Sequence, residues 1–155
     1  MSNIKWFALI LALELCAISV AQADTAAADH KGNNMYQINI TLDDAVITAR
    51  LDDTPTVRDF IARLPMTVKL EDYAATEKVT YLSNKLTTEG APAGVDPAIG
   101  DIAYYAPWGN IAIYYKDFGY SPGLIKLGEI TSDMAHLKFS GAKQATIELS
   151  TLTDK

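Results

Sequence analysis

Three pairs of adjacent carboxylates, Asp43-Asp44, Asp52-Asp53 and Glu71-Asp72, and two histidines, His30 and His136, are the residues whose types could do acid–base or metal chemistry. Two carboxylates held at a suitable separation can protonate and attack a glycosidic bond. Adjacent acids on turns more commonly cap helices and solvate bends, and these pairs are read that way. A histidine triad or a multi-histidine metal centre needs several imidazoles on structured elements. His30 falls in a small, polar stretch without periodicity, and His136 sits on a short polar turn. The chain carries no Gly-x-Gly-x-x-Gly, no phosphate loop, no His-Glu-x-x-His and no Gly-x-Ser-x-Gly elbow. The sequence therefore assigns no catalytic residue, no metal site and no cofactor.

Binding is better represented. Seven of the 14 aromatic residues fall between positions 104 and 120: Tyr104, Tyr105, Trp108, Tyr114, Tyr115, Phe118 and Tyr120. Rings with polar tips suit pocket walls, and a few polar groups then orient the ligand. The candidate ligand-binding set is Glu89, Tyr105, Trp108, Asn110, Lys116, Asp117 and Tyr120. Alternation sets Tyr104 and Tyr105 on opposite faces of a strand, and likewise Tyr114 and Tyr115, so part of this cluster belongs to the core. Trp108 sits on the tight turn Ala106-Pro107-Trp108-Gly109, where a large ring is hard to bury, and is expected at a pocket mouth. A convergent Glu89–Lys116–Asp117 cluster would favour an enzyme instead.

The elements that must position these residues are short strands. Tyr36, Ile38, Ile40 and Leu42 alternate with polar residues, Asp43-Asp44 turns the chain, and Ala45–Leu51 returns, which describes a hairpin. A helix follows, with Thr56 and Asp59 as a capping-box-like pair and Val57, Phe60, Ile61 and Leu64 on one face, stopped by Pro65. Further strands are read at 66–71, 78–82, 101–105, 110–116, 124–130 and 145–149, with an acidic turn at Glu71-Asp72-Tyr73 and a brief helical turn over 132–137. Eight strands with two short helices imply a mainly β barrel or sandwich. Residues 83–100 form the main irregular loop, and loops of that length are often functional.

Lys5, the apolar run from Trp6 to Val20 and the small-x-small site Ala21-Gln22-Ala23 read as a secretory signal over residues 1–23. Residues 24–34 read as a flexible lead-in, 35–150 as the domain and 151–155 as a tail. The run of about 15 residues is short for a membrane span, so no stable membrane association is expected after cleavage, and the protein is expected to be exported to the periplasm or secreted. Cleavage would remove the sole cysteine, Cys16, leaving no thiol chemistry and no disulfide. A net charge of −6 with scattered basic residues argues against nucleic acid as a partner.

Residues 100–128, GDIAYYAPWGNIAIYYKDFGYSPGLIKLG, with 86–92, LTTEGAP, resemble the bacterial cyclophilin-like domain of unknown function, and TLDDAVITARL and DTPTVRDFIARLP fit as well. The resemblance covers about residues 36–150. It implies a closed eight-stranded barrel with two short helices. True cyclophilins polarise an X-Pro amide with an arginine on a central strand. Here Arg50, Arg58 and Arg63 all precede the region that should hold the groove, and the corresponding strand reads KVTYL. The expected function is a binding module for a small molecule or peptide without isomerase activity. The alternatives are a structural or interaction protein with a filled barrel, and a peptidyl-prolyl isomerase.

Overall fold

A computed structural model describes residues 35–150. The signal segment 1–23, the lead-in 24–34 and the tail 151–155 lie outside the described residues. The elements, in chain order, are β1 (Met35–Leu42), β2 (Ala45–Asp52), α1 (Pro55–Ile61), β3 (Met66–Tyr73), β4 (Glu77–Tyr81), β5 (Gly94–Val95), β6 (Asp101–Tyr105), β7 (Asn110–Tyr114), β8 (Ser121–Pro122), β9 (Leu124–Ile130), a 3₁₀ turn (Ala135–Leu137) and β10 (Ala142–Leu149). Eight of the strands close into a barrel in the order β1-β10-β3-β4-β7-β6-β9-β2, with every neighbouring pair antiparallel. β5 and β8 form a separate two-stranded sheet.

Alternation decides which side chains fill the barrel. Ile38, Ile40 and Leu42 from β1 meet Ile47, Ala49 and Leu51 from β2, and the same core takes Leu70, Ile102, Tyr104, Ile111, Ile113, Leu127 and Ile147. Val57 and Phe60 of α1, Leu86 of the long loop and Leu137 of the 3₁₀ turn join it, so the interior is packed rather than hollow. Tyr104 is fully buried, and its hydroxyl accepts a hydrogen bond from the Leu86 N–H at 3.0 Å. Closing the barrel brings β2 against β9 so tightly that a Cβ on Gly128 would lie 2.0 Å from the Arg50 carbonyl oxygen. Only glycine permits that approach.

Several details differ from the sequence reading. The helix cap is Thr54, whose Oγ1 accepts from Val57 N–H at 3.2 Å, with Pro55 at the first helical position. Thr56 is buried. Asp59 instead accepts from Arg63 at 2.9 Å and from the Thr87 N–H at 2.8 Å, while Arg63 donates to the Asn84 and Lys85 carbonyls. The helix thus clamps the start of the long loop. Glu71-Asp72-Tyr73 is strand, and the turn lies beyond it at Ala74 and Ala75, both at positive φ. The second helix is a single 3₁₀ turn.

Candidate functional site

β4, β7 and β6 lie side by side in the barrel wall, with Glu77 opposite Tyr114, Val79 opposite Ala112 and Tyr105 opposite Asn110. Residues at i and i+2 share a face, so Glu77 and Val79 turn away from the packed interior, as do Asn110, Ala112 and Tyr114. On this outer side Val79, Ala103, Ala112, Tyr114 and Leu124 make a second buried apolar cluster, with Val95 and Tyr105 packed against it. Both faces of β6 and β7 are therefore covered, which explains why these strands show continuous apolar runs instead of alternation.

Above this cluster lies a groove of about 360 Å³. Val79, Tyr114 and Asn110 line it from the sheet, Tyr73 from the end of β3 and Ala74 from the β3–β4 turn. Phe118, Tyr120, Ser121 and Pro122 line it from the segment after β7. The β6–β7 turn places Trp108 at the rim. Gly109, at φ +73, closes that turn by donating its N–H to the Tyr105 carbonyl at 2.8 Å. The Trp108 ring stands edge-on to Tyr105 at 5.4 Å and to Tyr73 at 5.7 Å between centroids, and is 52% exposed. T-shaped contacts of this kind hold a ring in place without burying it.

Two polar groups mark the groove. Asn110 is 3% exposed, and its Oδ1 is the one buried side-chain polar atom among the described residues without a hydrogen-bond partner. A buried amide oxygen left unpaired is costly by about 1–3 kcal/mol, and a ligand donor would satisfy it. Glu77 lines the groove with no ion pair or side-chain hydrogen bond recorded among the described residues, and burial raises its pKa to about 7. Burial, and next the nearby Glu77, also push the Tyr114 hydroxyl upward.

Of the seven sequence candidates, the structure brings Tyr105, Trp108, Asn110 and Tyr120 together in this groove. Glu89 lies exposed on the long loop, and Lys116 is exposed beyond β7; neither lines it. Asp117 accepts a hydrogen bond from the Ile99 N–H at 2.9 Å and ties two loops together. Glu89, Lys116 and Asp117 thus do not form a common cluster in the groove. Tyr114 and Phe118, part of the aromatic stretch but outside the candidate set, also line it, as do Glu77 and Tyr73, which were not read as site residues. For Glu77 the signal was its alternation with Val79 along β4.

A second recess of about 630 Å³ lies between Met66, Val68, Tyr81 and Leu82, where β3 and β4 diverge beyond their short pairing at Glu71–Tyr73. No unpartnered buried side-chain atom lines it. His136 lies by the β1–β2 turn with Asp43, Asp44 and Lys143, and Lys143 pairs with Asp43 at 2.6 Å. No group of three or more His, Cys, Asp or Glu among the described residues is arranged to hold a metal ion. Among the same residues no helix is long and apolar enough to cross a membrane.

A closed eight-stranded antiparallel barrel with a short helix and a 3₁₀ turn is consistent with a cyclophilin-like barrel. The model of the cyclophilin-like family matches residues 40–148, and the chain belongs to that family. Among solved structures it is similar to the solution structure of the hypothetical protein AF2241 from Archaeoglobus fulgidus, at 18% identity and a TM-score of 0.58. That match covers 77% of this chain and 98% of the other, and shows the shared fold. No curated protein matches.

Proposed function

We propose that this protein is a binding module whose outer-wall groove receives a small molecule or a short peptide, without prolyl isomerase activity. The observation that carries the reading is the aromatic-walled groove, with Asn110, whose buried Oδ1 has no hydrogen-bond partner, among its lining residues. Its volume falls within the range of small-ligand sites, which are mostly apolar with few polar groups. Against isomerisation stands the missing electrophile. A twisted X-Pro amide needs a preorganised donor on its oxygen or nitrogen, whereas the groove is lined by no Lys, Arg or His. Arg50 approaches Glu129, Arg58 is paired with Asp53, and Arg63 with Asp59.

A thermal-shift screen with small molecules and proline peptides tests the reading, because a ligand of the native state raises the melting temperature. Trp108→Ala should lower stability by no more than about 1 kcal/mol, since the ring is half exposed. The same variant should abolish the shift given by the ligand found. A large stability loss with binding intact would return Trp108 to a structural role and remove the groove reading.

Export belongs to the same proposal and is supported by Lys5, the apolar run Trp6–Val20 and Ala21-Gln22-Ala23. Mass analysis of the protein from an expressing cell should find Asp24 as the first residue; an intact Met1 would contradict it.

A further inference from the structure

The chemistry of the groove is one-sided in charge. Its walls carry six aromatic rings, one carboxylate and one unpartnered amide oxygen, and no cationic side chain. Aromatic faces are electronegative and attract cations, most strongly where water is excluded. A neutral apolar ligand would shield the Glu77 carboxylate from water without a partner, and an anion would add like-charge repulsion. Lys116, whose N–H donates to the Thr76 carbonyl at 3.2 Å, is exposed and does not line the groove, and three other nearby cations are engaged elsewhere. Lys78 alternates to the inner face and donates to Asp72 at 2.6 Å. Lys85 donates to the Pro107 carbonyl at 3.1 Å, and Lys126 pairs with Asp101 at 2.7 Å.

We propose that the groove takes an organic ammonium ion, with its charged head at Glu77, its carbon skeleton against the Trp108, Tyr73 and Tyr105 rings, and a second polar group donating to Asn110 Oδ1. This rests on the groove being a ligand site and names the ligand's class. Glu77 and Asn110 stand at the two ends of the floor made by Val79 and Ala112. Asn110 and Tyr114, the residue opposite Glu77, are four positions apart on β7, a span of roughly 13 Å at strand rise. The site therefore favours an amine carrying a carbon skeleton over a bare ammonium.

Titration of the full chain with probes of one skeleton tests this: phenethylammonium, 2-phenylethanol and 3-phenylpropanoate, with Phe-Gly-Gly amide as a peptide α-ammonium. At pH 8 an ammonium probe should bind at least about tenfold tighter than the alcohol, and the propanoate should bind weakest. The tighter of the two ammonium probes identifies a free amine or a peptide terminus as the source. Because burial raises the Glu77 pKa to about 7 and the carboxyl must ionise to pair, lowering the pH from 8 to 6 should weaken phenethylammonium binding about tenfold, and less for the peptide, whose own α-ammonium is about half deprotonated at pH 8. Of the groups around it, Tyr73 and Tyr105 line the groove, burial raises the Tyr114 and Tyr115 hydroxyls, and the charged neighbours Asp72, Lys78 and Lys116 lie outside it. Glu77→Gln should remove both the preference for the ammonium probes and the pH dependence. Equal or tighter binding of the alcohol or the propanoate, lost in Trp108→Ala, overturns the ammonium assignment and leaves the groove reading standing. Absence of ammonium binding at millimolar concentration overturns the assignment too, and the Trp108→Ala thermal-shift screen then decides the groove separately.

Discussion

Replacing Lys78 with alanine should lower the stability of the domain by about 2–5 kcal/mol, the range expected when a fully buried long side chain is cut back to alanine. Lys78 is 1% exposed although it sits in a strand of a small barrel. The β4 alternation that turns Glu77 and Val79 outward turns Lys78 inward. There its ammonium lies 2.6 Å from Asp72 Oδ1, donates to the Phe139 carbonyl, and rests 4.0 Å from the centre of the Phe139 ring and 5.1 Å from that of Tyr115. Tyr115 donates its hydroxyl to the same Asp72 oxygen at 2.6 Å. Alanine removes the cation and its packed stem together, leaving the Phe139 carbonyl without its donor. Methionine, which restores the stem without the charge, should recover part of the loss. The hydrogen bond from Lys78, and next that from Tyr115, holds the Asp72 carboxyl below its ordinary pKa. A carboxylate with a lowered folded pKa contributes stability above its unfolded pKa and loses it as pH falls through the folded one. The gap between wild type and Lys78→Ala should therefore narrow in acid. Urea unfolding at pH 7 and pH 3 measures both effects, and a loss below about 1 kcal/mol at pH 7 would mean that water already reaches the ammonium.

Glu77→Gln should act in the opposite direction. Burial raises the Glu77 pKa from 4.5 to about 7, so the folded protein holds that proton more tightly than the unfolded chain does. The folded state is then unpenalised below pH 4.5, loses stability as pH rises from there to 7, and carries the full penalty above. A shift of that size corresponds to about 3 kcal/mol for a fully shielded group. Glu77 is only half-buried, and solvent screening reduces the figure to about 2 kcal/mol. At pH 8 the glutamine variant should melt roughly 6–10 °C above wild type, and at pH 4 the two should coincide. The comparison is made between variants at one pH because Asp59 and Asp72, both with lowered pKa, impose their own acid destabilisation on each. Equal melting temperatures at both pH values would show a solvated carboxylate and remove one support of the ammonium assignment. A residue that weakens the unliganded fold at neutral pH is the pattern expected of a group retained for a partner.

The local pattern in the sequence determined much of this architecture. The period-two alternation of Ile38, Ile40 and Leu42 fixes β1 and its inward face, and the helical spacing of Val57 and Phe60 fixes α1, because a buried face must be apolar at the element's own repeat. Alternation also separated Tyr104, sealed inside the barrel, from Tyr105 on the outer wall. The cap was read at Thr56, which offers the same side-chain chemistry as the actual cap, Thr54, two positions earlier. Other features arise only when distant strands meet. Alternation sorts side chains into two faces without saying whether the second face is also covered, so the outer cluster on β6 and β7 had no signature apart from continuous apolar runs. The packed interior and the groove, which the sequence reading set against each other, coexist because they occupy opposite sides of one wall. Glu77 and Lys78 are adjacent charged residues of ordinary appearance. The closure of β4 between β3 and β7 sends one carboxylate into an aromatic groove and buries the neighbouring ammonium under Phe139, 61 residues away. Their roles depend on water being excluded by residues remote in sequence, and that is decided by tertiary structure alone.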